Sequence, residues 1–252
     1  MVNRKQSVLA VAFLTLVSGA ALGATDMEFL DAGNDPDNQE SLQRGARNFM
    51  NYCSGCHSAE YVRYNTVARG LGLSEDQVVR NLMFNAEKIH ETIQRTMPAD
   101  QSARWFGKSP PDLSLIARAK STDYLYSFLK GFYVEEGSPT GVNNLYLAGT
   151  SMPHVLWELE GFKEAVFHEG EANADGVRPM EFSEFETVVA GSLSAEEYDA
   201  FVRDTVNFLE YISEPVRSTR RVLGVWVLMF LGFFLIIAIM LKKQIWKDVP
   251  KT

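Results

Sequence analysis

The stretch NYCSGCHSAEY, residues 51–61, holds the only two cysteines of the 252-residue chain and one of its four histidines. Cys53 and Cys56 are three apart, and His57 follows at once. This C-x-x-C-H pattern is the attachment sequence for c-type haem. Two thiols one helical turn apart can add across the two vinyl groups on one porphyrin edge, and the adjacent imidazole then lies under the iron. Three other uses of such a pair are weaker. A disulfide between residues this close shuts a tiny loop and adds little stability. A thioredoxin-like pair opens a helix after a strand, whereas an apolar stripe of Leu42, Ala46, Phe49 and Met50 leads a helix into this one. Zinc needs further thiolate or imidazole ligands at close spacing, and none stands nearby.

The ends of the chain bear on the same question. Arg4 and Lys5 precede an apolar run from Ser7 to Leu22, with Ala21 and Gly23 at its small-residue exit. That is the pattern of a secretory signal over 1–23, with an uncleaved N-terminal anchor as the alternative. From Val222 to Leu241 the sequence VLGVWVLMFLGFFLIIAIML carries no charge and is 20 residues long, enough for one helix across a hydrocarbon core of roughly 30 Å. Arg217, Arg220 and Arg221 flank it on one side and Lys242, Lys243, Lys247 and Lys251 on the other, so basic residues alone do not orient it. The signal does: residues 24–221 are expected outside and the tail 242–252 inside.

The region expected outside has 18 basic against 31 acidic residues, a net charge near −13, which argues against nucleic acid and for basic partners. Between Glu158 and Glu186 nine acidic residues face only Lys163 and Arg178; a plain solvated face is the alternative reading. The patterning is helical with long irregular connections. Ser74 and Gln77 form a capping box before Val78, Leu82, Ile89 and Ile93, which read as one apolar helical stripe. Another helix begins near Ser121 and buries Leu125, Phe128, Leu129 and Phe132. A last one begins at Ser194, capped with Glu197, and runs to Pro215. Segments 97–120 and 133–190 are rich in Gly, Pro, Asn and Asp and read as loops, with no period-two alternation. Loops this long in a compact domain commonly wrap a ligand.

For a sixth iron ligand the candidates are His90, His154, His168, Met27, Met50, Met83, Met97, Met152 and Met180. Met50 is too near the motif in sequence to reach the opposite side. Met97 in RTMPAD and Met152 in GTSMPHVLW both precede a proline that stiffens the loop. Spacing does not separate these two, and His154 is a third possibility.

The chain resembles the cytochrome c1 family, the haem subunits of quinol–cytochrome c reductase (bc1) complexes, in its bacterial form. The resemblance covers nearly the whole chain and is carried by RGARNFMNYCSGCHSAEYVRYN, GKSPPDLSLIARAK, DYLYSFLKGFY, NLYLAGTSMPHVLW and the anchor with its basic tail. It implies Met152 as the sulfur ligand, Pro111 and its neighbours in PPDLS against the haem, and a basic residue of the following stretch at a propionate. That stretch reads Arg118-Ala119-Lys120, and the lysine departs from the family's second arginine, offering a point charge in place of a planar fork. The fold implied is mainly α: a class I-like cytochrome c domain with long loops plus one C-terminal transmembrane helix. The work implied is one-electron transfer through a single covalent haem c, from a Rieske-type iron–sulfur subunit to a basic cytochrome c, beside a cytochrome b subunit. The setting implied is a bacterial inner membrane with the haem domain in the periplasm. A fully ligated iron leaves no open site, so the chain is not expected to be an enzyme on its own. Two alternatives stay open: a free-standing anchored cytochrome feeding a terminal oxidase, and a haem-based sensor with a dissociable sixth ligand. Gly224 and Gly232 in the apolar run would let neighbouring helices approach closely, or are simply tolerated there.

Overall fold

A helix that delivers the cysteine motif begins where Asn38 accepts a hydrogen bond from the Ser41 amide. This helix, α1 (Gln39–Tyr52), buries Leu42, Ala46, Phe49 and Met50, the stripe legible in the sequence. The computed structural model describes residues 28–170 and 178–247; residues 1–23, expected to be a signal, and the last residues of the tail lie outside them. The chain divides into a unit Glu28–Pro215 and a second unit that contains the C-terminal helix, and each is described by itself.

In the first unit, β1 (Ala59–Arg63), α2 (Tyr64–Gly70) and α3 (Glu75–Asn81) follow the motif, then β2 (Thr92–Ile93), α4 (Ala99–Phe106), α5 (Ile116–Lys120) and α6 (Thr122–Lys130). Two strands, β3 (Phe132–Val134) and β4 (Val142–Asn144), precede α7 (Trp157–Glu160) and the strands β5 (Gly161–Glu169) and β6 (Met180–Ala190). Helix α8 (Ala195–Ser213) closes the unit. The strands pair antiparallel as β1–β2, β3–β4 and β5–β6. Helices dominate, in line with the mainly α expectation.

The core is built on α1 against α8. Ser194 and Glu197 form the capping box that starts α8, and Tyr198, Val202, Val206, Leu209 and Ile212 face inward. Gly45 allows the crossing: a Cβ there would sit 2.0 Å from the Asp204 carbonyl oxygen. At the same crossing Asp204 accepts from Ser41 Oγ at 2.6 Å and pairs with Arg44 through Nε at 2.5 Å and Nη2 at 3.0 Å. Phe49 and Phe208 meet with ring centroids 5.7 Å apart.

Four sequence expectations change. The capping box of α3 is present, with Ser74 N–H donating to Gln77 Oε1 at 2.8 Å and Gln77 N–H to Ser74 Oγ at 3.2 Å, but the helix stops at Asn81. Asn81 and Asn85 turn their amides onto nearby backbone carbonyls, Gln77 O and Gln94 O, which competes with helix continuation. Ile93 then lies in β2 opposite Ala59. The stripe marked burial correctly and periodicity wrongly.

Segment 97–120 contains α4, which ends at Gly107 in the left-handed region (φ 75°), and α5, so it is not wholly loop. Segment 133–190 holds four strands. Its long hairpin leaves no period-two pattern in the sequence because bulges at Phe162/Lys163 and Val166/Phe167 break the alternation and most of its side chains are exposed. The helix expected near Ser121 is α6, capped by Ser121 Oγ accepting from the Tyr124 amide at 3.2 Å; Phe132 falls beyond it, in β3.

In the second unit, α9 (Arg217–Ile245) contains a stretch Thr219–Ile245 of 27 residues, long and apolar enough to cross a membrane, with an 18-residue window of mean hydropathy 2.9. At 1.5 Å per residue it is about 40 Å long, ample for one membrane crossing.

Candidate haem site

The turn after α1 folds the motif back on itself. Cys56 N–H and His57 N–H both donate to the Cys53 carbonyl, at 3.0 and 2.8 Å, which turns both free thiols into the wall of a cavity of about 270 Å³. Burial, with a smaller contribution from Cys56, pushes the Cys53 thiol up to about 12, and burial also raises Cys56. Thiols raised in this way are poor nucleophiles, which disfavours thiol-redox chemistry, and among the described residues no group of three or more His, Cys, Asp or Glu side chains is placed to hold a zinc ion.

His57 lines the same cavity. Its Nδ1 lies 2.8 Å from the Pro111 carbonyl oxygen. A carbonyl only accepts, so Nδ1 carries the proton and Nε2 keeps its lone pair free for a metal. Burial lowers the imidazole's pKa, and the Pro111 carbonyl opposes that shift in part.

The PPDLS segment is tied to the motif by more than one bond. Asp112 Oδ2 accepts from Ser58 Oγ at 2.9 Å and from the Glu60 amide at 2.8 Å, and Oδ1 accepts from the Ser114 amide at 2.9 Å. Leu113 N–H donates to Ser58 O at 2.8 Å, and Tyr61 N–H to Ser114 Oγ at 3.1 Å. Partial burial pushes the Asp112 carboxyl up, but these donors outweigh it and leave the group below its ordinary range. Arg95 Nη1 donates to Pro110 O at 3.0 Å. Asp112, Ser58 and Ser114 therefore hold the Pro111 carbonyl against His57, a function invisible in their spacing.

Met152 lines the cavity on the loop after β4. Buried Asn143 and Asn144 shape that loop: Asn143 Oδ1 accepts from Gly149 N–H at 2.8 Å, Asn144 Oδ1 accepts from Tyr146 N–H at 2.9 Å, and Asn144 Nδ2 donates to Phe128 O at 2.7 Å. The Asn-Asn pair was the available sequence signal and looked like ordinary loop composition. The other candidate ligands among the described residues do not line the cavity. Met50 is in the core, Met180 is exposed, and Met83 packs on the core's edge. Met97 bonds by its amide to Gly55 O at 2.9 Å, His168 lies 3.8 Å from Glu181 on the hairpin, and the His90 carbonyl accepts from Arg63. His154 is buried and stacks on Phe132. Met27 is outside the described residues.

Pro111 and Lys120 line the cavity, with Lys120 Nζ 5.7 Å from the Tyr124 ring centre. Arg118 does not line it; its Nη1 lies 3.9 Å from Glu214 Oε2. The remaining wall is mostly hydrocarbon and aromatic, including Tyr52, Leu113, Phe128 and Leu209. Two thiols on one wall, a neutral imidazole with a free nitrogen and a thioether in an apolar cleft suit a flat apolar macrocycle bearing two vinyl groups and a metal with two open positions. The residues fit haem c.

A family model described as the cytochrome C1 family matches residues 34–164 and 186–249, leaving out the far part of the β5–β6 hairpin. A cytochrome c1 of Allochromatium vinosum is 44% identical over 97% of this chain and 99% of its own length. A protein of Nitrosomonas europaea named ammonia monooxygenase gamma subunit is 39% identical over 85% of this chain and 86% of its own. The mitochondrial cytochrome c1 haem protein of Saccharomyces cerevisiae is 28% identical over 83% of this chain and 67% of its own.

Proposed function

Because the chain belongs to the cytochrome c1 family, carries one covalent haem c and is an electron-transfer subunit of a bc1 complex without catalysis of its own, we propose the residues and partners through which it works. Cys53 and Cys56 are the thioether tethers, His57 is the proximal ligand and Met152 the sulfur ligand. The haem, once bound, supplies a one-electron couple. The chain's own residues do the rest. Pro111 O orients and polarises the His57 imidazole, Asp112 fixes Pro111, and the Asn143–Asn144 turn presents Met152. Lys120, at the cavity wall, is the cation for a propionate; Arg118, engaged with Glu214, is the weaker choice. The folded unit is a class I-like cytochrome c domain on the periplasmic face of a bacterial inner membrane. Helix α9 is its single-pass anchor, and the C-terminus is cytoplasmic.

The electron donor is a Rieske-type iron–sulfur subunit, the neighbour in the membrane is a cytochrome b, and the acceptor is a basic cytochrome c. The single observation that carries this reading is the His57–Pro111 contact in the cavity that also holds both thiols and Met152. Extraction in mild detergent tests it: the chain should bring down a b-type cytochrome and an iron–sulfur subunit, and should keep its haem stain through denaturing electrophoresis. Cys53→Ser with Cys56→Ser should abolish that stain; a stain that persists would refute the tether assignment.

A further inference from the structure

The loop that carries Met152 has a second side. Pro153 and Val155 join Met152 on the cavity wall, while His154 between them is not among the lining residues. Its ring stacks on Phe132, with centroids 5.1 Å apart and planes at 12°. Its Nε2 lies 3.0 Å from Glu160 Oε2. The contact is within ion-pair distance but off the angle of a full hydrogen bond, and neither atom has another hydrogen-bond partner. The other oxygen of Glu160 pairs with Lys163 Nζ, which also donates to the Lys130 carbonyl at 2.6 Å, at the end of α6. Side-chain exposures are 5% for His154, 13% for Glu160 and 12% for Lys163. The Lys163 ammonium also sits 4.2 Å from the Phe185 ring centre. Tyr198 from α8 lies beside Glu160, which helps hold its phenol well above the usual range after burial.

A buried ion pair is a poor device for stability, since apolar side chains of similar volume commonly do as well or better. What it supplies is a unique arrangement, because breaking it strands a charge out of water. Here the arrangement ties three things together: the 150–156 loop, the end of α6, and the start of β5. Losing it would leave the loop held by Asn143, Asn144 and Thr150 before Met152, and after it by the buried Leu156 and the Glu158 and Leu159 carbonyls that accept from Ser192 and Leu193 N–H, with no side-chain bond left on His154.

We propose that Glu160, held by Lys163, is a positioning residue for the sulfur ligand: through His154 it clamps the 150–156 loop so that Met152 stays at the cavity. The inference rests on the reading of Met152 as the iron's sixth ligand. Its consequence is kinetic access. With the clamp intact the loop rarely opens; without it, an external ligand reaches the reduced haem faster while the resting spectrum of the oxidised protein still shows sulfur ligation.

Carbon monoxide is the probe, mixed with the dithionite-reduced full-length holoprotein in detergent. Three variants are compared with the parent: His154→Phe, which keeps the stack on Phe132; the pair Glu160→Gln with Lys163→Gln, which removes both charges together; and all three changes combined. The first two should each speed carbon monoxide binding about tenfold, the weight of one buried contact to a charged group. The combined variant should be no faster than the faster of the two, because the residues act as one unit. All should keep the far-red sulfur-to-iron band and melt well above the assay temperature. Rates within about twofold of the parent, or effects that multiply in the combined variant, overturn the clamp. If the charge-free pair fails to fold, His154→Phe decides alone. Met152→Leu is run alongside: if it keeps the far-red band and resists carbon monoxide, the ligand reading has failed. If it loses both while the clamp variants behave as the parent, only the clamp has failed.

Discussion

The imidazole of His57 is held by the backbone of Pro111, its Nδ1 2.8 Å from that residue's carbonyl oxygen across 54 positions of sequence. The second proline of PPDLS contributes an acceptor that no side-chain substitution can remove. The nearest lever on it is Asp112, which anchors the segment to Ser58 and Glu60.

Asp112→Asn should therefore loosen the Pro111 carbonyl and weaken its pull on the His57 proton. A less basic imidazole favours ferrous iron, so the midpoint potential should rise, readable by redox titration. Stability should fall by about 1 kcal/mol, toward the low end for bonds to a charged group because the carboxylate is partly exposed. The pH dependence has a definite sign. Because the folded carboxyl lies below its ordinary value of 3.8, its contribution is present above that pH and is lost as pH falls through the lower, folded value. Acid unfolding curves of Asp112→Asn should be flatter in that window; an unchanged curve and an unchanged potential would show that Asp112 positions nothing.

At the α1–α8 crossing the expected outcome is steric. Gly45→Ala places a Cβ 2.0 Å from the Asp204 carbonyl oxygen, a backbone atom that cannot swing aside. The helices must part, at a cost of about 1–3 kcal/mol, and the melting temperature should drop by several degrees. Gly55→Ala, with open space around it, is the control and should melt as the parent does.

The β5–β6 hairpin sets Glu164 directly opposite Glu186, with Glu184 opposite Val166 and therefore on the same face. Like charges across a strand pair weaken it. Changing Glu164, Glu184 and Glu186 to Gln should slightly raise the melting temperature. If this face steers a basic cytochrome c, the same change should slow the low-salt reduction of that partner by about tenfold and flatten its dependence on ionic strength. An unchanged salt slope would make the face a plain solvated one.

Much of this architecture was legible beforehand, for identifiable reasons. Residues 51–61 named their cofactor because the chemistry of thioether attachment demands two thiols at one spacing. Capping residues Ser74, Ser121 and Ser194 marked helix starts correctly because a cap is a local hydrogen-bond problem. Helix ends and strands were harder. The stop at Asn81 depends on side-chain amides reaching carbonyls in other turns, and the bulged hairpin satisfies its backbone between strands whose side chains stay mostly in water. The Met152 loop illustrates the same divide. Its sulfur was one of two equal candidates by spacing, and it is the tertiary anchoring of Asn143 and Asn144 that brings this one, and not Met97, to the cavity wall.

The assignment of Met152 is the claim on which most of the chemistry depends. A thioether is a neutral, soft ligand that favours ferrous iron and goes with high potential in cytochromes c. Leucine is close to methionine in volume, so the fold should lose less than about 1.5 kcal/mol on substitution. The measurement is the far-red sulfur-to-iron absorption of the oxidised holoprotein, recorded for Met152→Leu and Met97→Leu side by side. The account predicts that Met152→Leu loses the band, with a sharp drop in potential and new binding of carbon monoxide, while Met97→Leu keeps the parent's values in all three. The reverse pattern, or a band that survives both substitutions, would contradict it.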